Sequence, residues 1–319
     1  MEVTKLSQDF TPLNNGVFFE IDTTNDTPSD LIVEIVEAGA NEVVATQLLR
    51  EVISAKVNIA PYISHFSERM PHSAASSSMF EAPTATYYVR VGDVKSENIV
   101  LSVNGCDTLL PSIISTYANQ RCIAYGECDE VLMRVAPQSV VKVNISADNG
   151  ETLSIEHATI SGMVILAIST EDFGSDINSL NIELSQNGAV FDHFGYSVAK
   201  RVGKATRLAW LSGKGSIERY TFPVSQSCYC KVGKQYLDTS TGLLMTRATM
   251  RQGLSLLSHY EPRATIEALG EIISSPKVWI DEKGFREVEV ATSNIEYNLF
   301  NEPDIVELEL CEVQKEVVC

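Results

Sequence analysis

Four short motifs in this sequence contain residue types that catalyse reactions or bind ions. The first comprises His65, Glu68 and His72, whose side chains are of the kinds that bind zinc. The two histidines do not have the i, i+4 spacing that places a zinc-binding pair on one face of a helix. They also stand in a segment rich in Ser and Ala, and polar residues collect in such loops. We therefore interpret them as surface residues.

The second motif, Asp192-His193, contains a general base and a carboxylate that could orient it. A hydrolase of this type also needs an activated nucleophile. The sequence has no G-x-S-x-G turn and no comparably placed serine. We therefore expect Asp192 and His193 to be an ordinary pair at the edge of a strand.

The third motif is Gly213-Lys214-Gly215, which shares a lysine between glycines with loops that bind phosphate. The rest of the P-loop pattern is missing. The motif also lies between two β-rich runs, whereas a P-loop connects a strand to a helix. We predict a turn at this position and no nucleotide site.

The fourth motif is Cys228-Tyr229-Cys230, part of a set of seven scattered cysteines. Structural zinc sites use C-x-x-C pairs, so a C-x-C on a strand permits a metal without predicting one. No secretory signal is visible, and we expect reduced thiols in place of a disulfide framework. The four motifs together predict no catalytic residue, no metal and no cofactor, and thus a protein that is not an enzyme.

The charge pattern limits the partners that this chain can have. A net charge of −18 argues against nucleic acid. Residues 200–263 contain eleven Lys or Arg and three acids, whereas residues 281–319 contain three bases and eleven acids. These two segments either neutralise each other within one domain or meet between neighbouring subunits. The residues proposed for an intersubunit contact are Lys231, Lys234, Arg247 and Arg251 on the basic side and Glu302, Asp304, Glu307 and Glu309 on the acidic side.

A β-hairpin over residues 207–223 is the best-defined element in the sequence. Two runs of β-formers, residues 208–211 and 217–222, flank a glycine-containing turn. Tyr220 and Phe222 are two residues apart, so they share one face of their strand. We predict that this face, together with Trp210, belongs to a hydrophobic core.

The hairpin contains the pattern Trp-Leu-x-x-x-Gly-x-Ile-x-x-Tyr-x-Phe, and a helix, a Ser-Pro pair and an acidic β-rich end follow it. This arrangement resembles tail-type structural proteins of phages and prophages of Bacteroidetes-like bacteria. The likeness covers roughly the last 110 residues and a short echo near residues 17–21. Those proteins tend to carry Asn where this chain has Ser212. The resemblance implies a virion protein that acts by assembly.

Length and pattern predict a mainly β protein with three domains. A chain of 319 residues exceeds the usual size of one hydrophobic core. We expect an N-terminal β-sandwich at 1–105, a second β-sandwich or barrel at 106–202, and a C-terminal α+β domain at 203–319 with one helix over residues 263–274. The domains would thus be tandem antiparallel β-sandwich or barrel domains followed by an α+β domain.

Three local features complete this prediction. Residues 64–83 read as a long surface loop. Residues 163–168 read as the most buried strand of the second domain, and this apolar run is far shorter than the roughly 18 residues of a membrane span. Asn187-Gly188 predicts a tight hairpin turn.

The leading hypothesis for function is a non-enzymatic structural subunit of a phage or phage-derived tail. Its expected partners are copies of itself in a ring and other tail or virion proteins, with no nucleic acid and no membrane span. We expect assembly in the host bacterial cytoplasm and a final location in the virion. One alternative is an exported adhesin or fimbrial-type β protein, which requires a secretion signal that the N-terminus lacks. The other is a carbohydrate-binding or carbohydrate-cleaving module.

Overall fold

The structure is a computed structural model that describes residues 1–319 except 10, 12–15, 25–26, 64–69, 103–110, 117–119, 201–204, 240–241, 283, 296–302 and 313–319. The described residues form five β-sheets, in which one strand pair is parallel and the other pairs are antiparallel. One short helix lies in the first 105 residues, and a longer one lies near the C-terminus. The predicted fold class, mainly β with tandem antiparallel β-sandwiches and a C-terminal α+β unit, is confirmed.

The N-terminal unit is a sandwich of two sheets. Elements in this part of the chain are β1 (Glu2–Lys5), β2 (Phe18–Asp22), β3 (Ser29–Glu37), β4 (Glu42–Val52), β5 (Ser54–Asn58), α1 (Ala60–Ile63), β6 (Ser78–Glu81), β7 (Thr84–Val91), β8 (Val94–Lys95) and β9 (Ile99–Ser102). One sheet has the order β1-β2-β5, and the other has the order β4-β3-β7-β8 with β9 also on β7. Phe19 and Ile21 from the first sheet pack against Val33 and Ile35 from the second. Alternating apolar residues on both sheets therefore build this core.

The second unit is a larger sandwich. Its strands are β10 (Ser112–Ile114), β11 (Gln120–Ala124), β12 (Cys128–Arg134), β13 (Ser139–Ala147), β14 (Thr152–Thr159), β15 (Met163–Ser169), β16 (Ser179–Gln186) and β17 (Ala189–Ala199). The sheets have the orders β10-β12-β15-β6 and β11-β17-β16-β13-β14. Every residue of β15 is buried, as the apolar run predicts. Asn187 and Gly188 have positive φ and connect β16 to β17, so the predicted hairpin is also confirmed.

The predicted surface loop over residues 64–83 is wrong at its C-terminal end. Residues 64–69 lie outside the described residues, but Ser78–Glu81 forms β6 and pairs antiparallel with β15 of the second sandwich. Met79 packs against the large core of that sandwich, and Phe80 packs against its smaller apolar cluster. Four residues are too few for a periodic signal, which explains the error.

The third unit is a seven-stranded sheet covered by a helix. Its elements are β18 (Thr206–Leu211), β19 (Ile217–Phe222), β20 (Val224–Thr239), β21 (Gly242–Leu257), α2 (Arg263–Ser274), β22 (Val278–Asp281), β23 (Phe285–Val290) and β24 (Glu307–Glu312). The strand order is β19-β18-β22-β23-β24-β21-β20. The bounds of α2 match the prediction, and Leu269 and Ile272 pack in one core with Trp210 and Phe222.

Candidate functional site: a buried ionic junction and a projecting ribbon

The structure does not bring the described residues of the sequence motifs together into a reactive site. The contact between Asp192 and His193 is local, because the carboxylate of Asp192 accepts from the backbone N–H of His193 at 2.8 Å. His65 and Glu68 lie outside the described residues, while the ring of His72 packs against Phe80. Among the described residues there is no group of three or more His, Cys, Asp or Glu that could hold a metal ion.

The thiol of Cys122 is not an activated nucleophile. Cys122, Cys128 and Cys311 are free. Burial, together with the negative charge of Glu261, raises the pKa of the Cys122 thiol to about 11. At neutral pH this thiol is therefore protonated, and the thiol form is a poor nucleophile.

The contact between the second and third units is built around the edge strand β19. Strands β11 and β12 of the second sandwich lie against β19, so this edge of the seven-stranded sheet is covered. Every residue of β18 and β19 is buried. The face that carries Trp210, Tyr220 and Phe222 meets α2, and alternation turns Arg207 and Arg219 toward the second unit. Charged residues therefore line a contact that excludes water.

Arg207 is held by three groups in this junction. Its Nη1 donates to Glu127 Oε2 at 2.9 Å and to Thr221 Oγ1 at 2.8 Å, and its Nη2 donates to the carbonyl of Cys128 at 2.8 Å. Burial by itself would lower the pKa of Arg207, but the charges of Glu127 and Asp129 outweigh burial and raise it. The guanidinium is therefore charged and its main acceptors lie in the neighbouring unit.

Arg219 makes a second set of contacts beside the first. Its Nη1 donates to the carbonyl of Cys128 at 3.1 Å, and its Nη2 lies 3.4 Å from Glu130 Oε2. The same nitrogen donates to the carbonyl of His72, whose own N–H donates to Glu130 at 2.9 Å. A segment that precedes β6 is thus tied to β12 and β19 at once.

Arg121 and Glu218 complete the junction from the opposite direction. Here the arginine comes from the second unit and the carboxylate comes from β19, with Nη1 to Oε2 at 3.4 Å. Glu218 also accepts from the hydroxyl of Ser216 at 2.6 Å, and Tyr196 donates to Asp129 at 2.9 Å. Three arginines and four carboxylates in this junction, all at most 8% exposed, come from both units: Arg121, Arg207, Arg219, Glu127, Asp129, Glu130 and Glu218.

This junction joins two units through charged groups that are already paired with each other. The carboxylates of Glu127 and Glu218 are occupied by arginine and hydroxyl donors, and Glu127 also accepts from the backbone N–H of Ala124 at 2.9 Å. Sequence reasoning missed it, because charged residues that alternate with apolar ones on a strand normally face solvent. The available signal was the hairpin itself, whose Arg207, Arg219 and Glu218 lie on strands that are otherwise core-forming.

A long two-stranded ribbon is the second notable feature of the third unit. Strands β20 and β21 contain 16 residues each, and they pair from Val224–Leu257 to Thr239–Gly242. Strand β24 pairs with β21 only over Gly253–Leu257. In the part of the chain that the structure describes, residues 242–252 therefore pair with β20 alone and extend about 36 Å beyond the sheet. The sequence patterns do not predict this ribbon.

The end of this ribbon exposes large apolar side chains. Tyr236 is 53% exposed, and Leu243 is 73% exposed. The sequence of the two strands contains Lys231, Lys234, Arg247 and Arg251 and a single acid, Asp238, in a chain whose net charge is −18. A basic arm thus projects from an acidic protein.

The sheet from which the ribbon projects has an acidic face. The register places Glu287, Glu289, Glu307 and Glu309 on the face opposite α2, because their neighbours Val288, Leu308 and Leu310 belong to the core under the helix. Glu307 accepts from Ser255 of β21 at 3.1 Å. Glu307 and Glu309 also line a groove of about 510 Å³ with residues 291–295. Of the other two acids predicted for an intersubunit contact, Asp304 pairs with Glu261 through the backbone, and Glu302 lies outside the described residues.

Comparisons with known proteins give no family. No protein-family model matches the chain, and no curated protein is significantly similar to it in sequence. Solved structures that match include a chicken interferon gamma receptor alpha chain, at 10% identity over 62% of this chain and 98% of that chain with a TM-score of 0.21. A tetra-tandem repeat of a large adhesion protein matches at 12% identity over 81% of this chain and 69% of that chain, with a TM-score of 0.23. Domains 4–9 of surface layer protein SbsC match at 9% identity over 92% of this chain and 54% of that chain, with a TM-score of 0.22. TM-scores this low carry no argument about function.

No helix among the described residues is long and apolar enough to cross a membrane.

Proposed function

We propose that this chain is a non-enzymatic structural subunit that assembles with copies of itself into a ring, in a phage or phage-derived tail. The observation that carries the proposal is the ribbon of β20 and β21. A two-stranded hairpin is marginally stable in water, because neither strand has a second neighbour and few side chains are buried. A ribbon that extends about 36 Å from its sheet gains stability when a partner covers it.

The ionic junction supports the same function. In a ring, each subunit contacts two neighbours. Its domains must keep a fixed relative orientation, because that orientation sets the angle between the two contacts. Inter-domain contacts within a chain otherwise permit motion. Here Arg207 and Arg219 make charge-assisted hydrogen bonds to the second unit, and such bonds are about twice as strong as neutral ones. The resemblance of the C-terminal third to tail-type proteins provides the biological setting for this proposal.

Light scattering and native mass spectrometry on the full chain test the proposal. We expect association that grows with protein concentration and is stronger at low ionic strength, because the Debye length is about 10 Å at 0.1 M salt. A single closed species of several subunits would support a ring. A monomer at every protein and salt concentration, also in the presence of other tail proteins, would rule the proposal out.

A second candidate function, saccharide binding, has one observation in its favour. A groove of about 490 Å³ on the outer face of the second sandwich is lined by Gln120, Asn144, Asn181 and Glu183, side chains that hydrogen-bond to sugar hydroxyls. Gly195 leaves room there, since a Cβ at this position would come within 2.9 Å of Gln120 Oε1. A clear hit in a glycan-array screen that Asn181→Ala abolishes would favour this function over assembly.

A further inference from the structure

The seven-stranded sheet has one face whose two halves carry opposite charge. Along β21, Leu257, Ser255 and Gly253 are opposite Glu307, Glu309 and Cys311, so these alternate positions share the glutamate face. Continuing the same alternation outward places the positions of Arg251 and Arg247 on that face of the ribbon.

The ribbon face gains a third basic position from β20. Lys231 is directly opposite Arg251 in the register, and Gln235 is opposite Arg247. Like charges directly opposite each other destabilise an antiparallel pair. The ribbon therefore has an electrostatic reason, in addition to its open edges, to bind an acidic surface.

The part of this face formed by β23 and β24 is acidic. Glu289 and Glu307 are exposed on β23 and β24, and neither strand contributes a Lys or Arg position to that face. The acidic half and the basic half are adjacent parts of one continuous sheet. Residues 242–252 of the ribbon extend away from the glutamates of their own molecule, and their basic positions are therefore placed to lie on the glutamates of another molecule.

We propose that the ribbon face of one copy, at Lys231, Arg247 and Arg251, docks on the glutamate face of a second copy, at Glu287, Glu289, Glu307 and Glu309. This inference rests on the proposed function, because it takes a second copy as the partner. Charge complementarity selects that partner, since the chain outside the ribbon is strongly acidic.

Two charge-reversed variants and their mixture test this contact. The ribbon variant is Arg247→Glu with Arg251→Glu, and the face variant is Glu289→Lys with Glu307→Lys. Each variant alone brings like charges together at the contact, so we expect the association constant to fall by about tenfold or more. In an equimolar mixture the acidic ribbon meets the basic face and the unchanged ribbon meets the unchanged face. We therefore expect the mixture to associate as wild type does.

The matched control for the face variant is Asp93→Lys with Glu97→Lys, which makes the same change of charge at exposed positions on the N-terminal sandwich and should leave association unchanged. Recovery in the mixture also shows that both variants are folded. Variants that associate like wild type would overturn this contact while leaving the proposed function intact. Variants that stay monomeric when mixed would also overturn it. A monomeric wild type would overturn the proposed function together with the contact.

Discussion

Arg207 and Glu127 join the third unit to the second through an ion pair of 2.9 Å in which both side chains are almost fully buried. Glu127 accepts in addition from the hydroxyl of Thr221 at 2.6 Å and from the backbone of Ala124. The pair is thus part of a network that satisfies its charges. Removing one member leaves the other charged and buried, which costs far more than the loss of a surface pair.

Replacing Arg207 by Ala should lower the free energy of unfolding by about 3–5 kcal/mol, because Glu127 loses its counter-charge in a buried site. Urea denaturation of the full chain measures the change. The control is Lys142→Ala, which removes an exposed pair with Glu156 at 3.4 Å and should cost at most about 1 kcal/mol. Equal losses in the two variants would show that the junction does not hold the units together.

Trp210 is the largest fully buried side chain of the hairpin, and it packs with Tyr220 and Phe222 under α2. Trp210→Ala should therefore lower the free energy of unfolding by about 3–5 kcal/mol. Thermal melts monitor this loss. The comparison variant is Tyr260→Ala, which truncates an aromatic ring that is 74% exposed and should change stability by about 0.5 kcal/mol or less. Indistinguishable melting temperatures would contradict the assigned core.

Elements with a strong local signal were predictable from sequence. The apolar period and the flanking prolines predict α2, and Asn187-Gly188 predicts the turn between β16 and β17. The third unit's long ribbon was not predicted, because β21 lacks the alternation of a half-buried strand and includes Arg247 and Arg251. Leu254 and Leu256 of β21 pack with the core under α2, but two apolar positions are too few to give a hydrophobic period.

The ionic junction was not predictable for a different reason. Arg121 and Glu218 are 97 residues apart, and their contact depends on how two separately folded units dock. A single sequence shows charges on strands but not which surface covers them. The acidic and basic segments are evident in sequence, whereas the sheet face on which their positions lie depends on the strand register.

Cys122 makes the stability of the protein depend on pH at the alkaline end. Its thiol packs against the core under α2, and burial raises its pKa to about 11 from an ordinary 9.0. Between these values the unfolded thiol loses its proton and the folded one keeps it, so the thiol favours unfolding increasingly as pH rises. The stability of wild type relative to Cys122→Ala should fall from pH 9 to 11. A difference that does not change with pH would contradict this assignment.

Glu81 makes the stability of the protein depend on pH in acid. Its carboxylate attaches β6 to residues 160–161 of the second sandwich. Burial tends to raise its pKa, but hydrogen bonds from the hydroxyl of Ser161 and the N–H of Ile160, the latter at 2.7 Å, outweigh burial and lower it. The lowered pKa stabilises the fold above the ordinary value of 4.5, and this contribution is lost as pH falls through the folded value. Wild type should exceed Glu81→Gln in stability at neutral pH, and denaturation curves should converge in acid. A stability difference between wild type and Glu81→Gln that is the same at neutral and acid pH would contradict the lowered pKa of Glu81.

Sedimentation velocity of wild type and of a variant whose ribbon is shortened tests the central claim most directly. In the variant, a two-residue Asn-Gly turn replaces residues 231–251, so the part of β21 that pairs with β24 remains. The account predicts that wild type associates at low salt and that the shortened chain is a folded monomer under the same conditions. Equal sedimentation of the two proteins, whether both associate or both stay monomeric, would contradict it.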